Sequence, residues 1–419
     1  MKTRMMLSGW LAFICCDFAL AMLSLQVRDV WSLSSLVWFP AGLLLGILCA
    51  LAPRYWLLWL LSGALLHLVA SQLYGRPVNV SLIFCGFDVL LMMVTALIWQ
   101  FFYGVMYRPN RPRDILALAV LCSIAGIVER LVTTWALFLL DYPIDHSLSL
   151  LYMAGYVLSY LPLTFFVLWL LTSGSQQQAD MRLWLLALGM LLALLLLFFA
   201  PADAGGGEVR WQDLALMVSF ALPLLLALRG DLLLLSSFLS CSAVASLGAT
   251  LFGLGPFHSP ARNLQQDVLL ATWYCAAFSL PALLGASWIG QRYAQLARQR
   301  WREQLVDCVL QQAGFQRFHL DSAGGLSWRY QSRWQNVSYA PANWPQFVAW
   351  LHPQDRQMVE QLKAMTEQSP QLLVVRLADI SGEFHQTSMA LIACRREQGF
   401  SFEGVLFPEP RTAPAERQQ

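Results

Sequence analysis

The sequence predicts an all-α membrane protein, a polytopic bundle of about ten transmembrane helices, followed by a small α+β domain. Three observations carry that expectation. Hydrophobic residues make up 58% of the chain and charged residues 12%, against roughly 25% charged in an average soluble domain. Long apolar runs recur as far as Trp288 to Arg292 and then stop. The chain beyond that point mixes helix-like and strand-like patterns at ordinary polarity.

A bilayer core takes about 17 to 25 apolar residues per helix. The chain supplies runs near 6–26, 36–52, 56–74, 81–101, 115–139, 149–171, 183–200, 214–229, 232–253 and 267–289. The first follows Lys2 and Arg4 and lacks an Ala-x-Ala type cleavage site, so it reads as a retained span rather than a signal peptide. Gly, Pro, Ser and Thr interrupt several runs, which suits helices packed against one another. Alternating the connections places Lys2, Arg4, Arg54, Arg108, Arg111, Arg113, Arg182, Arg229 and Arg292 on one side, and Arg28, Arg76, Arg210 and Arg262 on the other. The positive-inside bias then predicts cytoplasmic N- and C-termini. A net charge of +2 from nearly balanced totals argues against a nucleic-acid partner. The 9 cysteines lack CxxC or metal-ligand spacing, so they read as small packing residues and neither a disulfide framework nor a metal site is expected.

Ionisable residues inside spans are costly and are functional candidates by default. Asp17, His67, Asp88, Glu129 and Arg130 fall in this class. Each lies roughly seven to nine residues from the outer end of its run, about 10 to 13 Å at the helical rise. They are therefore expected to share one layer, with Arg130 pairing Asp88 or Asp17 and leaving Glu129 or His67 to meet a ligand or proton. A satisfied ion pair that only fixes helix packing is the competing reading.

The segment Trp38-Phe39-Pro40-Ala41-Gly42 opens the second run, and a basic break, Pro53-Arg54-Tyr55-Trp56, closes it. With Gly155 and Pro162-Leu163 further on, residues 1–290 resemble the first class of membrane-associated sensor domains, the MASE type. Such domains precede diguanylate cyclase, phosphodiesterase and histidine kinase modules in bacteria, and the resemblance implies a bacterial inner membrane. Read without it, Trp38 and Phe39 are ordinary aromatic anchors at a membrane boundary.

Residues 291–302 read as a connecting helix carrying Arg292, Arg298, Arg300 and Arg302; its apolar positions form only part of a heptad. Strands are expected near 315–320 and 326–330, a helix from Trp344 to about Glu367, and strands near 372–378, 383–394 and 400–407. His352, Pro353, Asp355 and Arg356 lie in that helical stretch, where Pro353 starts a helical turn, Asp355 can satisfy its free N–H groups and Arg356 can pair with an acid. With Arg376 on the next strand, this order makes residues 303–407 similar to a PAS domain of the third sequence class. No flavin motif or haem-ligand context is present, so no cofactor is expected, and Trp328, Trp334, Trp344 and Trp350 read as core, with an aromatic-lined pocket as the alternative. Residues 408–419 read as a disordered tail.

No cyclase, phosphodiesterase, kinase or P-loop motif occurs; Ser381-Gly382-Glu383-Phe384 only echoes a cyclase signature from a hairpin turn. The expected protein is a non-enzymatic sensor or adaptor, a homodimer or hetero-oligomer in the lipid bilayer, that hands its signal to a separate cytoplasmic protein. Cyclic-di-GMP enzymes are the partners the resemblance points to. A transporter or membrane enzyme with a regulatory tail is the alternative, and a degenerate relative that dimerises with full-length sensors is a third.

Overall fold

A computed structural model describes residues 3–26, 35–142, 150–173, 181–201, 211–259, 261–312, 316–321, 323–328, 341–363, 371–378, 382–396 and 399–408. Arg28, Arg210, Trp334 and the tail 409–419 lie outside the described residues. The chain divides into two compact units, Met1–Ala294 and Gln295–Gln419.

The first unit is helical. Its long apolar helices are α1 (Thr3–Leu25), α3 (Trp56–Leu73), α4 (Val78–Tyr103), α5 (Pro112–Phe138), α7 (Met181–Phe198), α10 (Leu232–Leu251) and α11 (Leu264–Gln312), with α6 at Leu150–Thr172. Among the described residues, 7 helices are long and apolar enough to cross a membrane. The unit presents apolar side chains outward. On α3, Leu57, Leu61 and Leu65, one helical turn apart, are 68%, 61% and 62% exposed. A stripe of that kind is unfavourable in water and ordinary against lipid tails. A membrane protein follows.

Two of the expected runs depart from simple spans. The run 36–52 forms α2 (Phe39–Ala50), only 12 residues long and buried at every position. At the helical rise it covers about 18 Å of a hydrocarbon core about 30 Å thick. It is a central helix, packed against α6 where a Cβ added at Gly46 would lie 2.7 Å from the Val167 Cβ. The run 214–229 is broken at Phe220 into α8 (Trp211–Ser219) and α9 (Ala221–Ala227). The connecting stretch 291–302 is helical and continuous with the last span, as α11 runs through it for 49 residues in all.

Among the described residues the second unit holds five strands, β1 (Gln316–Leu320), β2 (Leu326–Trp328), β3 (Gln371–Ala378), β4 (Phe384–Arg396) and β5 (Gly399–Pro408), all antiparallel in the order β2-β1-β5-β4-β3. The single helix expected from Trp344 is two, α12 (Trp344–Trp350) and α13 (Pro353–Lys363). Pro353 cannot continue α12 and suits the first position of α13. Alternate residues of β1, Phe318 and Leu320, are buried and join Phe347, Leu351, Val359, Val375, Met389 and Leu406 in one core. Trp344 belongs to it, and Trp328 and Trp350 pack on it. At Gly404 the chain passes so close to the Phe318 ring that an added Cβ would meet it at 2.2 Å.

Candidate functional site: a buried polar cavity

The site begins with the non-helical approach to α2. Backbone outside a helix carries polar groups that have no partner in lipid, and it is tolerated where protein supplies them. Here the end of α1 does so. Ser35 Oγ donates to the Ser24 carbonyl at 2.5 Å and the Val37 carbonyl at 2.6 Å, and the Phe39 N–H donates to Ser24 Oγ at 3.3 Å. At the other end of α2, Gln100 Nε2 donates to the Leu48 and Leu51 carbonyls at 2.7 and 2.8 Å. Trp56 Nε1 adds a bond to Leu51 at 2.7 Å. Those side chains satisfy carbonyls that a helix end leaves open.

With Pro40 in its first turn, α2 places Trp38 at its N-cap. Trp38 and Phe39 are both buried in the protein core, so neither is an anchor at a membrane boundary. Trp38 Nε1 donates to Asp88 Oδ2 at 2.8 Å, and His67 Nδ1 lies 3.2 Å from the same oxygen. The Trp38 and His67 rings stand 4.5 Å apart. Because Oδ2 is a carboxylate acceptor, Nδ1 is the protonated nitrogen of His67. Asp88 Oδ1 and His67 Nε2 are buried without a hydrogen-bond partner. Unsatisfied buried polar atoms are uncommon and call for a physical reason.

A cavity beside this pair supplies one. Ser35, Trp38, His67, Arg76, Phe84, Glu129, Arg130 and Thr133 line it. The polar members are all buried. Ser35 and Thr133 spend their hydroxyl protons on backbone carbonyls, the latter on Glu129 at 2.7 Å, which leaves oxygen lone pairs as what they offer the cavity. Arg76 and Arg130 bring guanidinium groups and Glu129 a carboxylate.

The expected layer of five groups is thus partly assembled. His67, Glu129 and Arg130 line the cavity, and Asp88 holds His67 from behind. Asp17 on α1 is buried and close enough to Asp88 to feel its charge, but does not line the cavity. Asp88 takes its hydrogen bonds from Trp38 and His67 rather than from the expected Arg130. Gly42 and Pro40 act through the path of α2, where both are buried.

Arg76 was not expected here, having been read as a loop cation on the far side. The Arg76 and Gly75 N–H groups reach back to the Ser71 and Gln72 carbonyls at 3.1 and 2.9 Å. Gly75 has φ +70°, so this is the glycine C-cap that turns a chain back across its own helix. Arg76 is thereby buried, with its guanidinium 4.6 Å from the Phe84 ring centroid and Nη1 donating to Ser71 Oγ at 3.2 Å. The Leu73-Tyr74-Gly75-Arg76-Pro77 stretch carries that signal in the sequence.

A second buried carboxylate, also missed, is built differently. Asp267, in the first turn of α11, accepts from the Ser259 N–H at 3.1 Å and faces His258 Nδ1 at 3.2 Å, both on Oδ2. Its Oδ1 accepts from Arg262 Nε at 2.8 Å. Both oxygens are used. Among the described residues, no group of three or more His, Cys, Asp or Glu is placed to hold a metal ion.

In the second unit, the His352-Pro353-Gln354-Asp355-Arg356 stretch is structural, with two roles changed. Asp355 accepts from the Arg376 backbone N–H at 2.9 Å and from its guanidinium Nη2 at 2.8 Å, so it clamps β3 to α13. Among the described residues Arg356 pairs with no acid; its Nε and Nη2 donate to the Leu351 and Ala349 carbonyls, both at 3.0 Å, closing the end of α12. His352 Nδ1 accepts from the Gln354 N–H at 3.3 Å. Hydrogen bonds from Arg376 hold the Asp355 carboxyl below its ordinary range. Elsewhere, Arg317 on β1 joins Glu403 on β5 at 2.7 Å and Asp307 of α11 at 3.2 Å. Burial opposes the Arg317 charge, but Glu403 and then Asp307 raise its pKa.

The chain matches no protein-family model and no curated protein sequence.

Proposed function

We propose that this chain is a non-enzymatic sensory protein of the bacterial inner membrane, with a MASE-type bundle that detects a cue and a PAS-like module that passes it to a separate effector. The observation that carries this reading is the convergence of buried polar and charged side chains from the approach to α2, from α3, from the turn before α4 and from α5 on one cavity inside an apolar bundle. Groups so costly to bury are retained where they bind or respond. α11 supports the relay, since one helix holds both a spanning segment and Asp307, the residue that pairs with Arg317 on the sheet. The order of strands and helices in the second unit supports the PAS-like reading, as does its Asp355 and Arg376 clamp. The distribution of basic connections supports cytoplasmic termini.

The partners are a cytoplasmic signalling protein, of which diguanylate cyclases and phosphodiesterases are the first to test, and a second copy of the chain or of a related sensor. A photoreactive residue on the exposed side of α11, at Gln299 for example, captures the effector in intact cells on this reading. Recovery of no signalling enzyme or regulator sinks it. The Arg130→Gln variant sharpens the assignment: a folded variant that still responds to its stimulus reduces the charged layer to packing. A transporter reading draws on the His67 and Asp88 pair beside a cavity. Uptake into proteoliposomes that disappears in Asp88→Asn would put it first.

A further inference from the structure

We propose that the cavity beside His67 is a binding site for a small hydrogen-bond donor, a primary ammonium group such as ammonium or methylammonium presents. This deepens the sensory reading and rests on it for the site's purpose, while the binding itself needs no effector.

The lining calls for donors. His67 is 6% exposed, and its Nδ1 lies on Asp88 Oδ2, a carboxylate oxygen that accepts. With one proton on the ring, that proton is on Nδ1, and Nε2 presents a lone pair. Nε2 is buried and has no hydrogen-bond partner among the described residues, on a ring that lines the cavity. Ser35 Oγ gives its proton to backbone carbonyls at Ser24 and Val37, and Thr133 Oγ1 gives its own to the Glu129 carbonyl, so both hydroxyls bring lone pairs to the space. The Glu129 carboxylate accepts as well. Acceptors therefore converge from the approach to α2, from α3 and from α5. A primary ammonium group is their complement, since it carries several N–H donors and no acceptor. A hydroxyl or a water brings lone pairs that this set does not need.

Charge agrees with that choice. Asp88 stands behind His67 and takes its two hydrogen bonds from Trp38 Nε1 and His67 Nδ1, donors that are both neutral with one proton on the imidazole. A buried carboxylate without a countercharge is costly, so a positive charge one ring away is favoured. The guanidinium groups of Arg76 and Arg130 oppose a cation, but neither is idle: Arg76 donates to Ser71 Oγ and lies over the Phe84 ring, and Arg130 has a partner of its own. Size sets the limit. The cavity measures about 20 Å³ and is not fully enclosed, on a scale where one water needs roughly 10 to 15 Å³. It admits a single –NH₃⁺ head with a methyl group trailing outward, and excludes a quaternary ammonium.

The experiment is thermal unfolding of the full chain in phosphatidylcholine nanodiscs at pH 8, titrated with ammonium or methylammonium chloride at an ionic strength held constant with sodium chloride. Potassium matches ammonium in size and tetramethylammonium matches its charge, and neither has an N–H bond. Ammonium and methylammonium are expected to raise the midpoint saturably where the other two do not. Thr133→Val, which keeps the side-chain shape and removes an acceptor, should weaken binding by about tenfold. His67→Phe should abolish it, and Arg130→Gln, which removes an opposing charge, should tighten it. Equal shifts from potassium or tetramethylammonium, weaker binding by folded Arg130→Gln, or no saturable shift in the wild-type protein each overturn the proposal. The wild-type titration decides it even where a variant fails to fold. A second set of nanodiscs containing phosphatidylethanolamine identifies the source of the group: a midpoint already raised in the wild type but not in His67→Phe, with no further rise on methylammonium, assigns it to a lipid headgroup, and an unchanged titration assigns it to a dissolved amine. Ammonium binding without effector capture would leave this site standing and remove the relay, whereas the opposite pair of results would do the reverse.

Discussion

Asp88 and Asp267 are two carboxylates buried in the same helical unit, each facing a histidine Nδ1 at 3.2 Å. Asp267 has a guanidinium on one oxygen and a backbone N–H on the other. Its task ends there: it fastens Ser259 and Arg262 to the start of α11, with Arg262 Nη2 also donating to the Phe257 carbonyl at 2.7 Å. Asp88 has both its donors on one oxygen, leaves the other without a partner and borders a cavity through His67. A satisfied buried charge holds structure. One left incomplete beside open space is free to answer to an occupant, and that difference separates two residues whose sequence surroundings look alike.

The comparison breaks first at Asp267. Asp267→Asn leaves a guanidinium without its partner, and the expected loss of stability is about 3 kcal/mol, moderated because Arg262 is partly solvated. Thermal unfolding in nanodiscs reads it. Asp88→Asn is expected to cost less, about 1 kcal/mol, since an amide oxygen in place of Oδ2 can still accept from Trp38 and His67. A larger loss at Asp88 than at Asp267 would show that the incomplete residue is the structural one. The second unit extends the contrast to pairs that solvent reaches. A double-mutant cycle on Arg317→Ala and Glu403→Gln should give a coupling of about 0.5 to 1 kcal/mol, as for other partly exposed pairs. A coupling near zero would mean that Arg317 serves Asp307 alone.

The smallest effect is one of pH. Arg376 holds Asp355 below its ordinary pKa of 3.8 in the folded protein. The stability from this pair is therefore fully present above that value and is lost as pH falls through the lower folded-state value. Unfolding of the second unit, followed by tryptophan fluorescence, should lose stability below about pH 4, and Asp355→Asn should flatten that part of the profile. An unchanged profile would move the acid sensitivity to other carboxylates.

The helical class, the positions of the apolar runs and the order of strands and helices after Gln312 were legible in the sequence, because each depends on local periodicity or on residues such as Pro353 that act on their own backbone. The same kind of local signal, the Gly75 cap, could have placed Arg76. Pairing was not legible. Neighbouring helical residues point about 100° apart, so the partner of Asp88 depends on how α3, α4 and the approach to α2 are rotated, and those rotations follow from packing such as the Gly46 and Val167 contact. The roles of Asp355 and Arg356 depended in the same way on where α13 meets β3.

By itself, then, the sequence determined a chain that must bury long apolar runs in lipid and fold its polar remainder into a small mixed domain, since transfer energies and periodicity act residue by residue. Only the tertiary structure decided that α2 is a short helix enclosed by protein, that Trp38 serves Asp88 instead of the bilayer surface, and that one buried carboxylate is completed while the other is left open. Those outcomes depend on distances between segments far apart in the chain, and nothing in local composition sets them.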